Sequence, residues 1–82
     1  MVYEIELKPR AIRDLKSIDK SQARRIAEKI ALMKVDLAGD VKRLTNFTPE
    51  YRLRVGDYRI LFEVDGAKVV IYRVRHRREV YS

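Results

Sequence analysis

The stretch YRVRHRREVY, residues 72–81, brings four arginines, the one histidine of the chain and two tyrosines within ten positions. A second cationic group lies upstream, where Arg52 and Arg54 flank Leu53 and Arg59 follows Tyr58. Guanidinium groups stay charged at any physiological pH and match phosphate oxygens two at a time. Imidazole moves protons near neutrality, and phenol rings stack on bases. No glycine-rich phosphate loop, Ser-His-Asp set or pair of carboxylates in apolar surroundings accompanies these residues. This inventory suits cleavage of RNA by its own 2′-hydroxyl. There the substrate supplies the nucleophile, and the protein supplies positioning, charge stabilisation on the phosphorane and proton transfer. DNA lacks the 2′-hydroxyl and would not be cut. Such chemistry needs no cofactor. Without Cys, with a single His and with no tight Asp/Glu cluster, a built-in metal site is not expected.

The elements that must hold these residues follow from the pattern of apolar positions. Val2 to Leu7 alternates loosely and predicts a strand. Pro9 suits the first turn of a helix, with Ala11, Ile12 and Leu15 on one face. After a break at residues 17–20, Asp19 or Ser21 can cap a second helix. Its buried stripe would be Ala23, Ile26, Ala27, Ile30 and Met33, fading near Leu37. Arg24, Arg25 and Lys29 on its outer face are a solvated surface or a grip on nucleic-acid phosphates. A loop anchored by Leu44 and Phe47 runs to Pro49, and the period then becomes two. Three strands follow, separated by Gly56-Asp57 and Asp65-Gly66. The order β-α-α-β-β-β predicts an α+β fold of one domain, residues 1–82: a two-helix hairpin packed on a mostly antiparallel four-stranded sheet.

Two-residue turns at those pairs set Arg54 opposite Arg59, Arg59 opposite Tyr72 and Glu63 opposite Lys68. One face then carries Leu53, Val55, Tyr58, Ile60, Phe62, Val64, Val69 and Ile71 for the helices to cover. The other carries Arg52, Arg54, Arg59, Glu63, Lys68 and Tyr72, with Val74 and His76 following in register. In that register Arg75 and Arg77 point at the helices, and only the strand's ending or bulging near Val74 would bring them round. Like charges directly opposite each other cost roughly 0.2–1 kcal/mol. An anion between the arginines reverses that sign; otherwise they splay into water. Tyr3, Tyr51 and Tyr58 read as core or its edge, and Tyr72 and Tyr81 as the pair that could stack on a base.

The charge balance agrees with an anionic partner. The chain carries 19 Lys and Arg against 12 Asp and Glu, a net +7. Eight of the ten cations beyond residue 41 are Arg, in the strand-rich part. That excess favours a nucleic-acid face or an acidic protein partner over mere solubility. No apolar run is long enough to span a membrane and no signal segment is visible, so a cytoplasmic location is expected.

The segment YRLRVGDYRILFEVDGAKVVIYRVRHRREVY resembles the RelE toxins of the RelE/ParE superfamily. The likeness lies in Gly-x-Tyr-Arg-Ile, the valine-rich strand and His-Arg-x-x-Val-Tyr, and the preceding strand and helices match in order. It implies a fold similar to microbial ribonucleases and cleavage of mRNA in the ribosomal A site. It also implies neutralisation by an acidic, RelB-like antitoxin, with the toxin alone a monomer and the pair a hetero-oligomer. By this resemblance Arg59 contacts the scissile phosphate, Arg77 stabilises the transition state and Tyr81 orients the nucleophile or stacks. Arg52 and Arg54 stand where these toxins have lysines, and with Arg43, Arg75 and Arg78 would hold the RNA. Arg cannot serve as a base, which leaves His76 as a general acid or base or else a phosphate contact. The sequence stops soon after Tyr81, so the C-terminal helix of some RelE toxins is not expected. Two other readings stay open: a ParE-like inhibitor of DNA gyrase without catalysis, and a non-catalytic RNA-binding domain.

Overall fold

In the computed structural model, which describes residues 1–80, the order is β1 (Glu4–Leu7), α1 (Pro9–Lys16), α2 (Lys20–Leu32), β2 (Val41–Arg43), β3 (Tyr51–Val55), β4 (Tyr58–Asp65), β5 (Lys68–His76) and α3 (Arg77–Val80). The α+β class is as expected, but the sheet has five strands, in the order β1-β5-β4-β3-β2. The additional strand is β2, three residues from the stretch expected to be loop, paired antiparallel with β3. Three residues at a sheet edge are too few for a period of two to show. β1 runs parallel to β5, and the other neighbours are antiparallel.

Pro9 opens α1 where its missing N–H costs nothing. Asp19 caps α2, accepting the Ser21 N–H at 3.2 Å. α2 ends at Leu32, short of the expected Leu37, and the chain then turns through left-handed residues at Asp36 and Leu37. Both helices cover one face of the sheet. Ala11, Ile26, Ile30 and Met33 pack there on Leu53, Val55, Ile60, Phe62, Val69, Ile71 and Val74. Tyr3, Tyr51 and Tyr58 flank this core, Tyr51 stacked on Phe62 at 5.4 Å between ring centres. Ala27, expected in the stripe, is exposed. Among the described residues no helix is long and apolar enough to cross a membrane.

The β3–β4 turn is as the sequence predicts, with Arg54 opposite Arg59. The β4–β5 register is not. Asp65 pairs with Lys68 around Gly66-Ala67, so Glu63 faces Val70 and Phe62 faces Ile71. Between Leu61 and Phe62 the ladder then shifts by one residue, leaving Tyr72 without a cross-strand partner. That bulge exchanges the faces of everything after it. Val74 and His76, expected on the open face, pair with Ile60 and Tyr58 on the helix side. Arg73 and Arg75 come to the open face, opposite Leu61 and Arg59.

α1 holds the bulge from the sheet edge. β1 pairs with β5 only as far as Ile71, so the next outward N–H groups of β5 need another acceptor. The Asp14 carboxylate supplies it, accepting from Val74 N–H at 2.9 Å and from Arg73 Nε at 2.8 Å and Nη2 at 3.3 Å. Burial opposes its charge, but Arg73 and the Val74 N–H outweigh that and hold the carboxyl below its ordinary pKa. Asp14 in turn raises that of Arg73.

Candidate nucleic-acid interface

The bulge lines up two rows of side chains across the open face. One runs Arg52, Leu61, Arg73; the other runs Arg54, Arg59, Arg75. Cross-strand neighbours stand about 5 Å apart at Cβ, so the second row starts three arginine side chains side by side. Arg59 is its centre. It is only 6% exposed, and its Nη1 donates to the carbonyls of Gly56 and Tyr58 at 3.1 Å each. Its Nε–H is buried without a partner among the described residues, and so is that of Arg75. No carboxylate bonds Arg59 among the described residues. Leaving a buried donor unpaired costs about 1–3 kcal/mol, more for a charged group.

Gly56 shapes this end of the sheet. Its φ of 57° is easy for glycine and strained for other residues, and it turns its carbonyl onto Arg59. Arg75 reaches past the row to Glu79 on α3, at 3.4 Å. The Glu79 carboxylate also accepts the His76 N–H at 3.3 Å, closing the turn into α3. The chain leaves β5 through a single helical turn, α3.

The remaining cations are placed differently. Arg52 bonds the Asp40 carbonyl at 2.9 Å and its carboxylate at 3.3 Å. Arg43 bonds Glu50 at 3.1 Å near the far end of the sheet. Arg54 is exposed at the row's outer end. Arg77 and Arg78 are exposed on α3 rather than in the row. The Arg77 N–H bonds the Asp57 carbonyl, and the Arg78 N–H bonds His76 Nδ1. His76 packs edge-on against Tyr58, with ring centres 5.5 Å apart, on the side opposite Arg59. Tyr72 is exposed, with the Lys8 ammonium over its ring at 5.8 Å. Tyr81 lies outside the described residues. The structure therefore brings Arg59, Arg54 and Arg75 together, with Arg52 and Arg73 in the next row, and takes His76 and Arg77 elsewhere. Arg73 was missed as a neighbour of the site because Asp14, 59 residues away, holds it there.

A conserved-family model for the ParE toxin of the type II toxin–antitoxin system parDE matches residues 5–81. The chain belongs to the RelE/ParE toxin family. The toxin RelE3 of Methanocaldococcus jannaschii is 44% identical over 47 residues, which cover 57% of this chain and 53% of that protein. The chain thus spans about half the length of that relative. The fold is similar to the RelB–RelE antitoxin–toxin complex of Methanococcus jannaschii, with TM-score 0.77, 30% identity and coverage of 93% of this chain and 94% of the other. It is also similar to the RelBE2 toxin–antitoxin complex of Mycobacterium tuberculosis, with TM-score 0.81, 26% identity and coverage of 94% and 100%. In this RelE/ParE member the arginine row occupies the face that the two helices leave uncovered.

Proposed function

We propose that the protein is the toxin of a type II pair and an endoribonuclease that cuts mRNA in the ribosomal A site without a metal. The observation that carries this reading is the pair of buried, unpartnered Nε–H donors on Arg59 and Arg75, side by side across β4 and β5. Arg59 is a buried cation with no carboxylate beside it among the described residues, which is costly, so its counterion is best understood as arriving with the substrate. As the 2′-oxygen attacks phosphorus, the phosphorane gains negative charge, and fixed donors favour it over the ground state. The 2′-hydroxyl gives its proton to solvent as it attacks, the P–O5′ bond breaks, the 5′-oxygen takes a proton from solvent, and the products are a 2′,3′-cyclic phosphate and a 5′-hydroxyl.

Arg59 and Arg75 stabilise that charge; Arg75 takes the role the sequence alone gave to Arg77. Arg54 and Arg52 hold the RNA backbone, with Arg43 and Arg78 farther out. Tyr81, by family resemblance, orients the nucleophile. His76 is given no proton-transfer role, because the bulge turns it to the other side of the sheet. The complexes with RelB-type antitoxins among its structural relatives support a RelB-like antitoxin as partner, and the chain's net +7 suits an acidic one. A second reading, gyrase inhibition without catalysis, is favoured by the ParE family model and needs no anion site.

Primer extension on mRNA from an in-vitro translation reaction tests both. The wild type should cut in the A site. Arg59→Gln and Arg75→Gln should each lower cutting by about 100-fold or more, and Arg77→Gln by far less. Intact message with the wild type would overturn the nuclease reading, and a supercoiling assay would then test the gyrase one.

A further inference from the structure

Behind the arginine row, on the helix side of the β3–β4 turn, lies a polar cleft of about 250 Å³ lined by Gln22, Arg25, Gly56, Asp57, Tyr58 and His76. We propose that it binds the RNA phosphate adjacent to the one held at Arg59. The proposal rests on the ribonuclease reading above.

Three donors meet in the cleft. The Arg25 guanidinium lies over the turn, its Nη1 3.5 Å from where a Cβ on Gly56 would stand. It has no hydrogen-bond or ion-pair partner among the described residues. His76 accepts the Arg78 N–H on Nδ1, which leaves the ring proton on Nε2 as a donor. Its ring is held edge-on by Tyr58. The Gln22 amide adds a neutral donor. Asp57 is the one acid in the lining. It is exposed, and its carbonyl anchors the Arg77 N–H at 2.7 Å. A cation, an imidazole N–H and an amide together suit an anion with several acceptor oxygens, which describes phosphate.

Gly56 joins this cleft to the row. Arg59 donates to its carbonyl from the open face, and Arg25 lies against it from the helix face. Only one residue, without a side chain, separates the two guanidinium groups. A single strand crossing the end of the sheet there can give one phosphate to Arg59 and the next to Arg25.

The test is single-turnover cutting of ribosome-bound mRNA carrying one uncharged methylphosphonate at either phosphate flanking the scissile one. Arg25→Gln should slow the cutting of ordinary mRNA by about tenfold, while Lys16→Gln, which removes the same charge from an exposed site on α1, leaves it unchanged. One of the two methylphosphonates should slow the wild type by a similar factor and leave Arg25→Gln no slower. Slowing that multiplies with Arg25→Gln at both positions, or an Arg25→Gln variant as fast as wild type, would overturn the cleft. A wild type that cuts no message would overturn the ribonuclease reading, and the cleft with it.

Discussion

The two rows on the open face are built from the same residue type and are neutralised differently. In the row of Arg52 and Arg73, each guanidinium is met by an acid from another part of the chain, Asp40 and Asp14. In the row of Arg54, Arg59 and Arg75, Arg75 is met by Glu79 of the adjoining helical turn, but the central and most buried cation is met only by carbonyls, and two Nε–H groups have no partner among the described residues. The first row completes its electrostatics on folding, and the second leaves them incomplete at its centre, Arg59. Charge that is matched internally supports the fold, and charge that is not matched marks where a ligand supplies the missing part.

The sharpest way to break this comparison is to remove the central charge and keep its bulk. Arg59→Met should abolish cutting by at least about 100-fold, with stability to urea within about 1 kcal/mol of wild type or above it, because a buried, uncompensated cation is gone. A large loss of stability would mean that Arg59 is structural. In the other row the effects should invert. Asp14→Ala leaves Arg73 and the Val74 N–H without their acceptor and should cost about 2–3 kcal/mol in urea unfolding. A change under about 0.5 kcal/mol would remove Asp14 as the clasp of the bulge.

The smallest effect is in pH. The Asp14 carboxyl sits below its ordinary value in the folded state, so its contribution is complete above the unfolded value and fades as pH falls through the folded one. Wild type should therefore lose stability below about pH 4 more steeply than Asp14→Asn, measured as the urea midpoint against pH. Parallel curves would separate the carboxylate's charge from its role as acceptor.

The fold was legible wherever the apolar period ran long enough. The stripe Ile26, Ile30, Met33 and the alternation Leu53, Val55, Ile60, Phe62 both end in the core. The Arg54–Arg59 pairing was legible because a glycine turn with two residues fixes its own register. β2 was not, being too short to show a period. The bulge was not, because Tyr72 and Arg73 differ from their surroundings in no way that marks an inserted residue. What stabilises it is a carboxylate from α1, far away in the chain. The candidate site followed the same division. Arg59 and Arg54 could be placed from the turn, while the choice between Arg75 and Arg77 depended on the bulge.

That one unpaired residue gives β5 an arithmetic of its own. Up to Ile71 the odd positions face the helices, and from Val74 onward the even positions do. Were Tyr72 to take a regular place in the ladder opposite Leu61, the strand would keep its length and composition, yet aim Arg73 and Arg75 into the core and Val74 into solvent. The composition of the site is carried by a dozen side chains, but its direction is carried by a count being odd or even.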